Sequence, residues 1–350
     1  MPVACGGSDS TDGTEPKPAP TSDAATTTIP VEEPTTTVAA APVVIGLVAP
    51  SAIDDASFTQ SMVDSLDRLA ADRPIEFEVA ADLPSPDDAL PAAQAFAADG
   101  ADVVIVHGSQ FRSVVAQVAG DHPDVAVAWG TAGDDVGLPN VFSYSAAADQ
   151  GGYVNGVIAA GLTTSGRIGA IGPIQLGDAG LYVDGFQIGA LAADPSVEVS
   201  IAFLDSYTDT LLAGEAATVM TGFGGDVLTS TSQISSGVLE HARSVGVPYL
   251  GSQSSAIPLA PAVVVAAQVY HWEIALDELL EIVESAGGSE GGVSADASDR
   301  VGSALEQLSL ANGGLTIEFN DDYELPAAVR DAADTAIAGL IDGSIETGLG

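Results

Sequence analysis

From Val43 onward, short apolar runs alternate with segments of helical period, and no other feature constrains the fold as strongly. The apolar runs fall at 43–48, 75–79, 103–106, 125–129, 167–171, 197–204, 226–229 and 247–250. Helical patterns fall at 56–71, 87–98, 111–119, 150–162, 178–192, 211–221, 234–245 and 269–283. Strands that alternate with helices predict parallel sheets with right-handed crossovers. The pattern has two blocks, one ending near Tyr144 and one near Gln253. The expected fold class is therefore α/β, with two doubly wound lobes. A further strand at 262–267 and the helix at 269–283 are expected to return to the first lobe. A last strand at 314–319 and a last helix at 326–340 close the chain. Lobe 1 is thus expected from 43–145 plus about 254–286, and lobe 2 from 146–253 plus about 310–350. The chain is expected to cross near 144, 253 and 310, with a flexible acidic and Gly-rich segment over 287–309.

The first strand and the loop after it carry the strongest functional hint. Val43-Val-Ile-Gly-Leu-Val48 reads as a strand buried on both faces. A short loop comes next, then a helix whose first turn carries Phe58, with Asp55 as the expected N-cap. Ligands of open α/β sheets bind at the carboxyl ends of strands, where this loop opens. His107-Gly108-Ser109-Gln110 makes a similar strand-to-helix turn, whose backbone N–H groups could meet a ligand oxygen or simply close a tight turn.

Composition narrows the function classes. The net charge is −41, from 8 basic and 49 acidic residues. Such a field repels nucleic acid and anionic lipid headgroups. No apolar run approaches the roughly 18–20 residues that span a bilayer. Cys5 is the only cysteine, which excludes an intramolecular disulfide and a thiolate metal cluster. His122, His241 and His271 lack paired ligand spacing, so neither metal nor cofactor is expected. No P-loop, dinucleotide fingerprint or H-E-x-x-H motif is present. Gly287-Gly-Ser-Glu-Gly291 spells G-x-S-x-G, yet it sits in an acidic loop and not at a strand-turn-helix elbow. No catalytic residue is expected. Residues 6–42 are rich in Thr, Ser, Pro and Ala without period, and read as a disordered tether with a reach of roughly 35 Å.

Several segments together resemble the basic membrane protein family, the PnrA-like substrate-binding lipoproteins of ABC importers. Ile53-Asp-Asp-Ala-Ser-Phe-Thr-Gln60 is similar to that family's I-D-D-K-S-F-N-Q. Asn140-Val-Phe-Ser-Tyr144 with Gly151-Gly-Tyr-Val-Asn-Gly-Val-Ile-Ala-Ala160 resembles its N-V-x-x-Y…E-G-A-Y-L-A-G-V-I-A-A block. Thr164-Ser-Gly-Arg-Ile-Gly-Ala-Ile-Gly172 resembles K-T-G-K-V-G-F-V-G-G, and Asp184-Gly-Phe-Gln-Ile-Gly189 resembles A-G-F-x-A-G. Asp205-Ser-Tyr-Thr-Asp209 sits where the family has G-S-F-x-D, and Ile341-Asp-Gly-Ser-Ile345 is similar to the closing I-x-x-G-x-I.

The resemblance implies a type I periplasmic-binding-protein fold, with two lobes joined by a multi-crossing hinge. It implies an extracytoplasmic, monomeric lipoprotein anchored to the cell membrane through Cys5, because Pro2-Val3-Ala4-Cys5-Gly6 resembles the end of a lipobox. The implied role is capture of a small neutral ligand, nucleoside-like or otherwise planar, for delivery to an ABC permease and ATPase. A sensor lobe of a signalling system and a nucleoside-processing enzyme are the alternatives. Two rings sandwich the base in the family, and Phe58 and Tyr207 match them. The expected ligand shell is Phe58, Tyr207, Ser57, Thr59, Asp54, Trp129, Gln253 and Tyr270. Four positions depart from the family pattern. Thr59 stands where the family has Asn, Gly130 and Gln253 where it has Asp, and Tyr270 or Gln268 where it has Lys. Trp129 is expected to fill part of the vacated space.

Overall fold

A computed structural model describes residues 41–131, 136–285 and 305–349. The expected lipidation at Cys5, the tether and most of the acidic segment lie outside these residues. The first sheet contains β1 (Val43–Val48), β2 (Ile75–Ala80), β3 (Val103–His107), β4 (Ala126–Gly130), β5 (Val141–Ala146) and β11 (Leu305–Leu308). All are parallel, in the order β11-β5-β4-β3-β1-β2. The second contains β6 (Arg167–Gly172), β7 (Glu198–Phe203), β8 (Val227–Ser230), β9 (Tyr249–Gly251), β10 (Val264–Tyr270) and β12 (Leu315–Phe319). Its order is β12-β10-β9-β8-β6-β7, with only β12 antiparallel. This is the two-lobed α/β fold that the alternation predicts.

The helices are α1 (Phe58–Asp72), α2 (Pro86–Ala98), α3 (Arg112–Asp121), α4 (Ala148–Leu162), α5 (Gly177–Ala193), α6 (Thr210–Gly222), α7 (Ser235–Val245), α8 (Trp272–Ser285) and α9 (Ala327–Asp342). In α1 the buried positions Phe58, Met62, Leu66 and Leu69 keep the three-to-four spacing of one helical face. In β3 every residue is buried, as a central parallel strand covered by helices on both faces requires.

Two expectations about the topology are corrected. The strand at 262–267 does not return to the first lobe. It extends to Tyr270 and pairs with β9 and β12 in the second sheet. The return comes one element later, at α8, which packs on α1 and β1. Trp272 fixes that return: its backbone N–H donates to Ser65 Oγ (3.0 Å) and its indole N–H to Ser61 Oγ (2.8 Å). The segment over 287–309 also contains a strand, β11, which closes the free edge of β5.

The lobes share one apolar cluster that runs from Ile45 and Met62 through Tyr144, Ala147, Tyr270 and Trp272 to Tyr182 and Phe186. Separate clusters fill the outer layer of each lobe. In lobe 2 the axes of α4 and α5 meet at backbone contact. A Cβ added at Gly152, Gly156, Gly185 or Gly189 would lie 2.0–2.2 Å from a carbonyl oxygen of the facing helix. Only glycine admits so close a crossing.

Candidate functional site

The cleft is built from strand ends. After β1, the Asp55 carboxylate accepts the backbone N–H groups of Ser57 (2.9 Å), Thr59 (3.2 Å) and Gln60 (3.0 Å), and the Ser51 hydroxyl (2.6 Å). It thereby satisfies the open first turn of α1. Burial pushes its pKa up, opposed by those same hydrogen bonds.

Asp55 is not itself the N-cap as expected: Ser57 holds that position without a capping side-chain bond, and Asp55 serves the turn from two residues upstream, with Phe58 as the first helical residue. Its ring stacks on His107 at 3.8 Å and 7°. Trp272 meets both rings edge-on, at 6.1 Å from Phe58 and 5.2 Å from His107. His107 is fully buried, and burial holds its pKa down at about 3, so the imidazole is neutral. Its Nε2 faces the Phe58 carbonyl (3.3 Å), so Nε2 carries the proton. Nδ1 then accepts from the Tyr144 hydroxyl (2.8 Å). Phe58 is therefore a ring whose orientation is fixed from behind.

The facing wall comes from lobe 2. Tyr207 lies after β7, Leu176, Gly177 and Asp178 open α5 after β6, Ser232 and Gln233 lie after β8, and Gln253 lies after β9. These residues share one cleft with Phe58, Pro50, Thr131 and the Gly108-Ser109-Gln110 turn. The space enclosed among them is about 30 Å³, so the two walls stand nearly in contact. Every contributor leaves the carboxyl end of a parallel strand, where the geometry of doubly wound sheets places ligands. Non-glycine residues with left-handed backbone gather at these ends: Ala56 (φ 56°), Thr131 (21°), Asp205 (53°), Ser232 (65°) and Gln253 (72°). Each costs roughly 1 kcal/mol or more, and such strain concentrates at ligand clamps.

One amide links the lobes. Gln253 Oε1 accepts the Ser57 hydroxyl of lobe 1 (2.6 Å) and the Ser232 backbone N–H of lobe 2 (2.9 Å). Asp178 is 7 % exposed, and burial raises its pKa to about 7, with the charge of Asp149 adding to the rise and an Ala146 backbone hydrogen bond opposing it. Burial also raises Tyr207, against a hydrogen bond with the Ser109 side chain and with help from the Asp178 charge.

Of the residues expected from sequence, Phe58, Tyr207 and Gln253 line this cleft, and Ser57 backs it through Gln253. The others do not line it. Thr59 is fully buried and pairs with the Ser51 hydroxyl at 2.7 Å. Asp54 is exposed on the outer loop. Trp129 does not fill vacated space: its indole N–H donates to the Gly108 carbonyl (3.0 Å) and its ring belongs to the outer cluster of lobe 1. Tyr270 lies beneath the cleft, its ring 4.6 Å from Trp272. The space beside Gly130 is already occupied, because a Cβ there would meet Tyr144 Oη at 2.5 Å and His107 Nδ1 at 2.8 Å. Sequence reasoning missed Asp178, Ser232 and Gln233. The signal that could have found them is position alone, since each begins the segment after a predicted strand. Among the described residues no group of three His, Cys, Asp or Glu could hold a metal ion, and no helix is long and apolar enough to cross a membrane.

Comparison with known proteins agrees with this architecture. The family described as ABC transporter substrate-binding protein PnrA-like matches residues 42–296. A purine-binding protein of Brucella abortus is 29% identical over 133 residues, 38% of this chain and 38% of that protein. Basic membrane protein B of Borreliella burgdorferi is 26% identical over 232 residues, 62% of this chain and 66% of that protein. The chain thus aligns with less than two thirds of the length of these relatives. Among solved structures, a solute-binding protein of an ABC transporter system from Conexibacter woesei superposes with a TM-score of 0.68 at 24% identity, covering 87% of this chain and 98% of that one. Another from Aeropyrum pernix gives 0.72 at 16% identity, covering 87% and 93%. With two doubly wound lobes, a cleft at their strand ends and a family match over most of its length, this chain belongs to the PnrA-like family of ABC transporter substrate-binding proteins.

Proposed function

We propose that this protein, outside the cytoplasm, captures a small planar ligand, nucleoside-like or otherwise aromatic, between its lobes and delivers it to the permease of an ABC permease–ATPase complex. The observation that carries this reading is one cleft lined by Phe58 from lobe 1 and Tyr207 from lobe 2. Two π-faces on opposite lobes suit a flat ring, and each stack contributes roughly 1–3 kcal/mol. The cleft lining contains no Lys or Arg, which favours a ligand without phosphate. The purine-binding relative supports the same ligand class. A lipid on Cys5 would hold the protein at the membrane, with residues 6–42 as its tether.

Thermal shift of the full chain against nucleosides, free bases and small neutral aromatics tests the reading. A ligand at a hundred times its Kd adds roughly 2.7 kcal/mol of stability. The expected outcome is a rise in Tm with at least one planar ligand, lost in Phe58→Ala and Tyr207→Ala. No response to any planar compound, with a response to open-chain or saturated solutes, would overturn it.

A further inference from the structure

The cleft carries two hydrogen-bond acceptors that the protein leaves unmatched. Asp178 Oδ2 and Gln233 Oε1 are buried atoms without a partner, and each residue is only 7 % exposed. Both line the cleft that holds Phe58 and Tyr207. They come from different elements, the first turn of α5 and the loop between β8 and α7. A buried acceptor left unpaired costs stability, so such atoms call for a donor, and in a cleft a ligand is placed to supply it. No basic side chain lines the cleft to serve either acceptor from within the protein.

We propose that Asp178 and Gln233 form a specificity edge that reads N–H donors on the rim of a stacked heteroaromatic ring, selecting a guanine-type edge over an adenine-type edge. This inference rests on the planar-ligand reading of the cleft. A carboxylate accepts two parallel hydrogen bonds from a ring N–H and its neighbouring exocyclic amino group, the pattern of guanine. Hypoxanthine offers the ring N–H without the amino group. Adenine presents a ring nitrogen acceptor at that position, which an ionised carboxylate repels. A site built of buried polar groups discriminates strongly against a ligand that cannot pair them. The rings fix the plane of the ligand, and the acceptors fix which edge faces lobe 2. Gln253 cannot substitute, because its amide oxygen already accepts from Ser57 and Ser232.

Isothermal titration calorimetry of the full chain at pH 8, with guanosine, inosine and adenosine, tests this. The expected order of affinity is guanosine, then inosine, then adenosine. Asp178→Asn should weaken guanosine by roughly ten- to a hundredfold while leaving adenosine unchanged or tighter, because an amide adds a donor. Gln233→Met, the second variant, should weaken guanosine in the same direction and serves if Asp178→Asn does not fold. Equal affinities, tightest binding of adenosine, or a uniform loss with all three nucleosides in the variants would each overturn the inference. If the wild type binds other planar aromatics but no purine, the edge assignment falls and the planar-ligand reading stands. If it binds no planar compound, both fall.

Discussion

Asp178 carries opposite consequences for binding and for stability. In the unfolded chain its carboxyl titrates near 3.8, and in the fold burial raises it to about 7. Between those values the native state holds a proton that the unfolded state has released, so stability falls as pH rises through that window. Above about pH 7 the full cost is present, on the order of a few kcal/mol. Asp178→Asn should therefore raise Tm clearly at pH 8, with the gain shrinking toward zero near pH 4. Thermal melts across that range check this, and a variant no more stable than wild type at pH 8 would contradict it. A carboxylate kept at such a cost fits a site that gives up stability for recognition. It was not legible in the sequence, because an Asp in the first turn of a helix reads as an ordinary favourable charge at the N-terminus. Phe58 and Tyr207 were legible because each lies just past a strand end inside a motif. Trp129 misled for the opposite reason: it also ends a strand, but its side chain turns to the outer layer.

At the scale of elements, the α4–α5 crossing sets backbone against backbone at four glycines. Gly189→Ala would drive a Cβ to 2.0 Å from the Tyr153 carbonyl oxygen, and only backbone movement could relieve that. Loss of about 3 kcal/mol or more, or failure to fold, is expected. Gly120→Ala in α3 is the contrast. Nothing lies within 4 Å of its Cβ position, and its residue is exposed. The same substitution there should stabilise by roughly 0.5–1 kcal/mol. Denaturant unfolding of the two variants separates the signs. The strands and helices themselves were readable from apolar runs and helical period, since those patterns arise from burial on both faces and on one face. Sheet membership was not. The apolar run of β10 would suit either sheet, and only its pairing with β9 and β12 decides. β11 escaped notice because Leu305-Glu-Gln-Leu308 is short and half polar, as edge strands are.

At the scale of the whole molecule, closure is recorded in a few bonds between lobes. Ser57 and Ser232 meet on one oxygen of Gln253, itself held at φ 72°. Removing the Ser57 hydroxyl leaves the Ser232 contact within lobe 2 and deletes one of the bonds that join the lobes, the Tyr207–Ser109 bond remaining. Ser57→Ala should shift the free protein toward more open forms, by roughly the 0.5–1.5 kcal/mol of one hydrogen bond. Small-angle scattering should then show a larger radius of gyration without ligand and a wild-type value at saturation. An unchanged free profile would show that closure does not depend on this bond. The crossings near 144 and 310 were legible as breaks between blocks. The third, at β10 to α8, was not, because the hydrogen bonds of Trp272 to Ser61 and Ser65 join residues far apart in sequence.

The strands β11 and β12 have a consequence beyond geometry. Each is the last strand on its side of a different sheet, and both lie after residue 296, where the family match ends. A chain cut at that point would bare the backbone of β5 in one sheet and of β10 in the other, two apolar templates for strand addition. Such a fragment should pair with its own copies more readily than the whole chain does. By covering both edges, the C-terminal segment removes two places where chains could add strand to strand.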